Sequence, residues 1–206
     1  MKTFMVIGLL LLSAMAWALP PIQVTDGEAW FYASKDSDTV YQVDLNVKSG
    51  DFDGMRVRLM FPNDDPTIAI SKDVFRIKAA GGGLTGGPAV AVDTTGGNLH
   101  AGLRLDYEQQ WGRVKADATI FAMAGLNHGG ADYIAIDPAS LQYQFTNKVS
   151  AGIGYLGGVV EGEDWMHQYG PIVSYKVNDR LSIKAGVLCW GDSDDNIVTG
   201  GIKYAF

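Results

Sequence analysis

From Asn98 to Phe206 the chain falls into seven stretches in which apolar and polar residues alternate: roughly 98–109, 113–124, 139–147, 150–160, 166–178, 181–191 and 196–206. Side chains of a strand project to its two faces in turn, so a period of two sets an apolar row in one medium and a polar row in another. A tilted strand of about 9–11 residues is long enough to cross a bilayer. The last stretch is the plainest. Ile202, Tyr204 and Phe206 share one face, Gly201, Lys203 and Ala205 the other, and the chain stops on the aromatic.

The connections alternate as well. Gln109–Arg113, Asn147–Ser150 and Asn178–Leu181 are tight, whereas Gly125–Ala139, Glu161–Trp165 and Gly191–Asn196 are longer or acidic. Short turns on one side and long loops on the other are the habit of transmembrane barrels. Upstream, Val40–Lys48 and Met55–Phe61 form a hairpin. Weaker strands lie near 28–34, 67–79 and 87–94, and Gly81–Gly87 reads as a Gly-rich connector. Single-chain bacterial barrels have an even strand number. Seven strands after Asn98 therefore need an odd number before it, giving ten or twelve. The expected fold is an all-β, antiparallel transmembrane β-barrel of twelve strands.

The faces assign the interior. Tyr41, Val43, Leu45 and Val47 oppose Gln42, Asp44, Asn46 and Lys48, and Met55, Val57, Leu59 and Phe61 oppose Arg56 and Arg58. A soluble sandwich would turn the same charged rows out to water. Aromatics at strand ends favour the membrane: Tyr107, Trp111, Tyr175, Tyr204 and Phe206 toward one rim, Trp165 and Trp190 toward the other. The polar rows then line a lumen. Its basic candidates are Arg56, Arg58, Arg76, Lys78, Arg104, Lys115, Lys176, Lys184 and Lys203; its acidic ones are Asp44, Asp106, Glu108 and Asp117. Nine against four makes a basic interior in a chain of net charge −7. The excess acid falls in presumed outer loops: Asp36, Asp38, Asp64, Asp65, Glu161, Glu163, Asp164, Asp192, Asp194 and Asp195.

The N-terminus fits secretion. Lys2, the apolar run Phe4–Leu12 and Ala16-Trp17-Ala18 read as a signal peptide over residues 1–18, leaving one barrel domain over 19–206. With that leader, the terminal strand resembles the C-terminal assembly signal of Gram-negative outer-membrane β-barrels, carried by Ile202, Tyr204 and Phe206. The resemblance implies a place in the cell outer membrane, among lipids and lipopolysaccharide, after handling by the barrel-assembly machinery. In size and arginine-lined lumen the chain also resembles small twelve-stranded outer-membrane channels for acidic oligosaccharides.

Function is read from the interior. Rings of Lys and Arg draw anions into a pore, which makes the chain a small passive channel for small, anionic solutes. Arg56 and Arg58 could instead pair with Asp44 and other acids to satisfy a closed, packed lumen, leaving a structural or surface-binding barrel that acts through its acidic loops. A secreted soluble β protein is the third reading. An acidic chain without clustered basic residues suits no nucleic acid. His128, in the long outer loop, and His167, after Glu161, Glu163 and Asp164, would suit surface hydrolysis of the omptin-like kind, and His100 falls on the lumenal row, but no catalytic motif surrounds any of them, so no enzyme is expected. Asp192–Asp195 lacks the spacing of a calcium loop, and neither metal nor cofactor is expected. Cys189 stands alone, which precludes an intrachain disulfide.

Overall fold

The computed structural model describes residues 23–34, 39–49, 52–61, 66–127, 130–191 and 196–206. The expected leader, His128, and the loop acids Asp36, Asp38, Asp64, Asp65, Asp192, Asp194 and Asp195 lie outside the described residues.

The described residues are all-β. Fourteen strand segments follow one another: β1 (Gln23–Ala33), β2 (Val40–Ser49), β3 (Phe52–Phe61), β4 (Thr67–Lys72), β5 (Phe75–Ala79), β6 (Gly82–Asp93), β7 (Leu99–Trp111), β8 (Val114–Gly125), β9 (Tyr133–Gln144), β10 (Val149–Val160), β11 (Met166–Lys176), β12 (Leu181–Leu188), β13 (Trp190–Gly191) and β14 (Ile197–Ala205). β4 with β5, and β12 with β13, are halves of single spans, which leaves twelve. Each span pairs antiparallel with the next, and β1 closes on β14 from Asp26↔Ala205 to Ala33↔Val198. Closure removes the free edges that an open sheet would present.

Local chemistry sets the turns. Trp111 pairs directly with Val114 around Gly112, whose φ is +59°. Glycine at positive φ in the first place of a two-residue loop matches the right-handed twist of the strands it joins. The start of β1 and the C-terminus meet at the short-turn rim, where Phe206 N donates to Thr25 O at 3.0 Å and Ala205 N to Arg180 O at 2.9 Å.

Three sequence expectations change. The Gly81–Gly87 connector is mostly strand, because β6 runs from Gly82 to Asp93. The span 67–79 is broken by one extra residue: Ser71 faces Ala89 but Phe75 faces Gly86. And β9 starts at Tyr133, not Ala139. Ala118 and Tyr155 both face Ala139, whereas Ile120 and Gly157 both face Ile136. Asp137 and Pro138 together stand opposite one residue on each neighbour. This is a β-bulge, which inserts one residue and shifts the alternation beyond it. Inward residues are Tyr133 before it, Asp137 within it, and Ser140 and Gln142 after it. A single period of two does not run through such a strand, and a proline within a run argues against strand.

Outward residues form an apolar belt. Ile70, Leu103, Leu141, Ile153, Val173, Ile183, Val198 and Ile202 are all exposed large hydrophobics, on spans from around the ring. Soluble monomers rarely expose contiguous apolar area on this scale. Aromatics sit at both rims, with Trp111, Tyr143, Phe145, Tyr175, Tyr204 and Phe206 on the short-turn side and Phe31, Tyr41, Trp165 and Trp190 on the other. An apolar band flanked by aromatic girdles is the surface of a protein that spans a bilayer as a barrel.

Candidate functional site

The interior has two halves. Toward the short-turn rim lies a cavity of about 580 Å³. Toward the long-loop rim Ala69, Ala89, Ala91, Phe121 and Met123 form a buried cluster, and Tyr133 packs against it. Tyr133 meets the His100 ring edge-on at 5.3 Å between centroids. His100 is buried and its Nε2 lies 3.4 Å from Asp93 Oδ2. Inner-facing positions are thus not uniformly polar. On β8 the row runs from Lys115, Asp117 and Thr119 to Phe121 and Met123, polar in one half and apolar in the other.

The cavity is lined by strand residues held in register by the ladder. Its cations are Arg56, Arg58, Lys115, Lys148, Lys176, Arg180, Lys184 and Lys203; its acids are Glu28, Asp44, Asp106, Glu108, Asp117 and Asp179. The ratio is eight to six, a smaller basic excess than the sequence reading of nine to four. Arg104 lies behind the cavity wall, 1% exposed, in ion pairs with Asp73 and, at 2.7 Å, Asp106. Arg76 and Lys78 stand on β5, all of whose residues are exposed, and are not among the residues lining the cavity.

Most of these charges are partnered. Arg56 Nη1 donates to Asp106 at 2.9 Å and its Nε to Asn46 at 3.0 Å. Lys203 Nζ lies 2.6 Å from Glu28, and Lys115 Nζ lies 2.9 Å from Glu108. Lys184 Nζ is 3.6 Å from Asp117 and 5.3 Å from the Trp30 ring centroid. Neutral groups complete the wall: Ser150 and Ser174 both donate to Gln142 Oε1, at 2.8 and 2.7 Å, while Gln142 Nε2 donates to Ser140. At the rim Lys176 donates to Asp179 at 2.8 Å, which lowers that exposed carboxyl below its ordinary range. Lys176 and Lys203 remain about half exposed to the cavity mouth.

The cavity ends at a bridge. Arg58 donates to Asp44 through Nε at 2.7 Å and Nη2 at 3.1 Å. The same guanidinium reaches across the barrel to Asp137, with Nη1–Oδ2 at 3.4 Å, and lies 4.6 Å over the Phe121 ring. Tyr32 Oη donates to Asp137 Oδ1 at 3.0 Å. The bulge in β9 is what carries Asp137 inward to the wall formed by β1, β2 and β3. Sequence reading placed residues 125–139 in an outer loop, so it missed Asp137. It also passed over Glu28, Trp30 and Tyr32, although their spacing of two inside the weak 28–34 strand carries the signal. The terminal residues Ile202, Tyr204 and Phe206 are exposed outward, and the rings of Tyr204 and Phe206 meet edge-on at 5.0 Å.

No protein-family model matches this sequence, and neither does any curated protein. Solved structures do. The barrel is similar to the KdgM porin, with TM-score 0.60 and 10% identity over 88% of this chain and 99% of that one. The NanC porin gives TM-score 0.53 and 9% identity over 88% and 100%. An outer-membrane channel from Pseudomonas putida F1 gives 0.54 and 11% over 90% and 96%. At such low identity the likeness is one of fold, and the fold is that of small outer-membrane porins.

Proposed function

We propose that the chain is a small passive channel of the bacterial outer membrane that passes small, anionic solutes. One observation carries the reading: a closed twelve-span barrel encloses a cavity of about 580 Å³ whose charged lining is cationic in excess. That volume lies within the range of about 300–1,000 Å³ typical of small-molecule sites. Lys and Arg on a pore wall lower the energy of an entering anion by direct charge attraction. Similarity to the KdgM porin, one of whose structures is a complex with disordered oligogalacturonate, supports an acidic solute. In this reading residues 1–18 are a cleaved signal, and Ile202, Tyr204 and Phe206 address the chain to the barrel-assembly machinery. Lipid and lipopolysaccharide surround the wall, and the short-turn rim faces the periplasm.

Planar-bilayer recording tests it. Step conductances are expected in KCl, with a reversal potential in a salt gradient showing anion preference. Cation preference would reject the anionic solute, and silence would reject the channel. A second reading, a closed barrel acting through its outer loops, is favoured by the Phe121–Met123 packing and the Arg58–Asp137 bridge. Silence of a folded barrel is its expected result.

A further inference from the structure

The bridge is built unevenly. Arg58 holds Asp44 through two short bonds, from the next strand of its own wall. It meets Asp137, on the far wall, through contacts of 3.4 Å to Oδ2 and to the backbone carbonyl. Bidentate, short arginine–carboxylate pairs are the strong ones. The Nη1 side of Arg58 is therefore the loosely satisfied side. Asp137 occupies it because a bulge, not the regular ladder, pushes it there. Arg58, Asp44 and Pro138 all line the cavity, so an entering solute meets this place directly.

Resting on the channel reading, we infer that Asp137 is a tethered plug: an internal carboxylate that fills an anion site on Arg58 and yields it to a solute carboxylate arriving from the cavity. Asp44 keeps Arg58 fixed throughout, so the guanidinium stays in place when Asp137 leaves. Asp44 already balances the Arg58 charge; what the far face requires is an acceptor for its Nη1–H donors, and a carboxylate is a stronger acceptor for that charged donor than a neutral carbonyl. Exchange of one carboxylate for another keeps that bond at full strength; a neutral solute offers a weaker one. The bridge thus yields to carboxylates in preference to uncharged molecules of the same size. Tyr32 Oη, 3.0 Å from Asp137, holds the plug from the β1 side and sets how readily it leaves.

The test uses the full barrel in planar bilayers, with heat-modifiable gel migration to verify folding. Asp137→Ala is expected to raise single-channel conductance in KCl severalfold over the parent. Acetate added at constant ionic strength is expected to return that conductance toward the parent value by filling the empty site. Acetamide at the same concentration is expected to lower it far less than acetate does. In Arg58→Gln/Asp137→Ala the acetate effect is expected to vanish. If Asp137→Ala fails to fold, Asp137→Asn keeps the shape, removes the charge and is expected to raise the open fraction. A folded Asp137 variant that conducts like the parent overturns the inference, as does an acetate effect that survives loss of Arg58. If the parent conducts with anion preference while the variants match it, the plug fails and the channel stands. If parent and variants are all silent, both fail.

Discussion

Arg104 shows what the interior asks of a single residue. It is almost wholly buried between Ser71, Asp73 and Asp106. A buried charge is tolerable only when paired and hydrogen-bonded. Truncating one partner of such a pair strands the other and costs about 3–5 kcal/mol. Arg104→Ala is therefore expected to lower stability by that order in a urea titration of the barrel in lipid vesicles. Adding Asp73→Asn is expected to recover part of the loss, since Asp73 is the carboxylate left without its cation, whereas Asp106 keeps Arg56. A basic residue on β7 was legible from alternation; that it serves packing rather than the cavity wall was not. Its partner Asp73 sits in the break between β4 and β5, and alternation fails at that break.

Among the elements, the seam between β1 and β14 decides whether the barrel closes. Trp30 pairs with Gly201 on the inner face and Phe31 with Gly200 on the outer one. A Cβ on Gly201 would lie 2.5 Å from the Trp30 ring, and one on Gly200 would lie 2.5 Å from the Phe31 ring. Each ring lies over a glycine across the strand pair, a pairing known to rescue glycine within sheets. Gly201→Val is expected to force Trp30 off its bond to Glu28 and its contact with Lys184, with an overpacking cost of about 1–3 kcal/mol and a shift in tryptophan emission. Gly200→Val displaces Phe31 toward lipid, where there is room, and is expected to cost less in the same urea titration. The seam strands were readable in outline from the sequence. The bulge in β9 was not, since Pro138 and a change of phase hid the first half of that strand.

At the scale of the whole molecule, burial is inverted relative to a soluble protein. Leu103 is 53% exposed near the middle of β7, while its neighbour Arg104 is 1% exposed on the inner face. Leu103→Arg is expected to destabilise the barrel by about 2–4 kcal/mol, the figure for a cation on the lipid face at mid-bilayer. Lys176→Ala, at the cavity mouth, is expected to change stability little; both are read from urea unfolding in vesicles. The sequence by itself determined the all-β class, an even count of ten or twelve spans and, for most strands, which row faces lipid, because a period of two and the parity of a closed sheet are local and countable properties. Tertiary structure alone decided that an apolar cluster packs inside one half of the barrel, that most inward cations are neutralised by acids on other strands, and that Asp137 meets Arg58 across the barrel. Those facts depend on residues from different strands, 50 apart for Arg56 with Asp106 and 79 apart for Arg58 with Asp137. No local period encodes such pairs, and a bulge that shifts the phase by one residue moves a side chain from one face to the other.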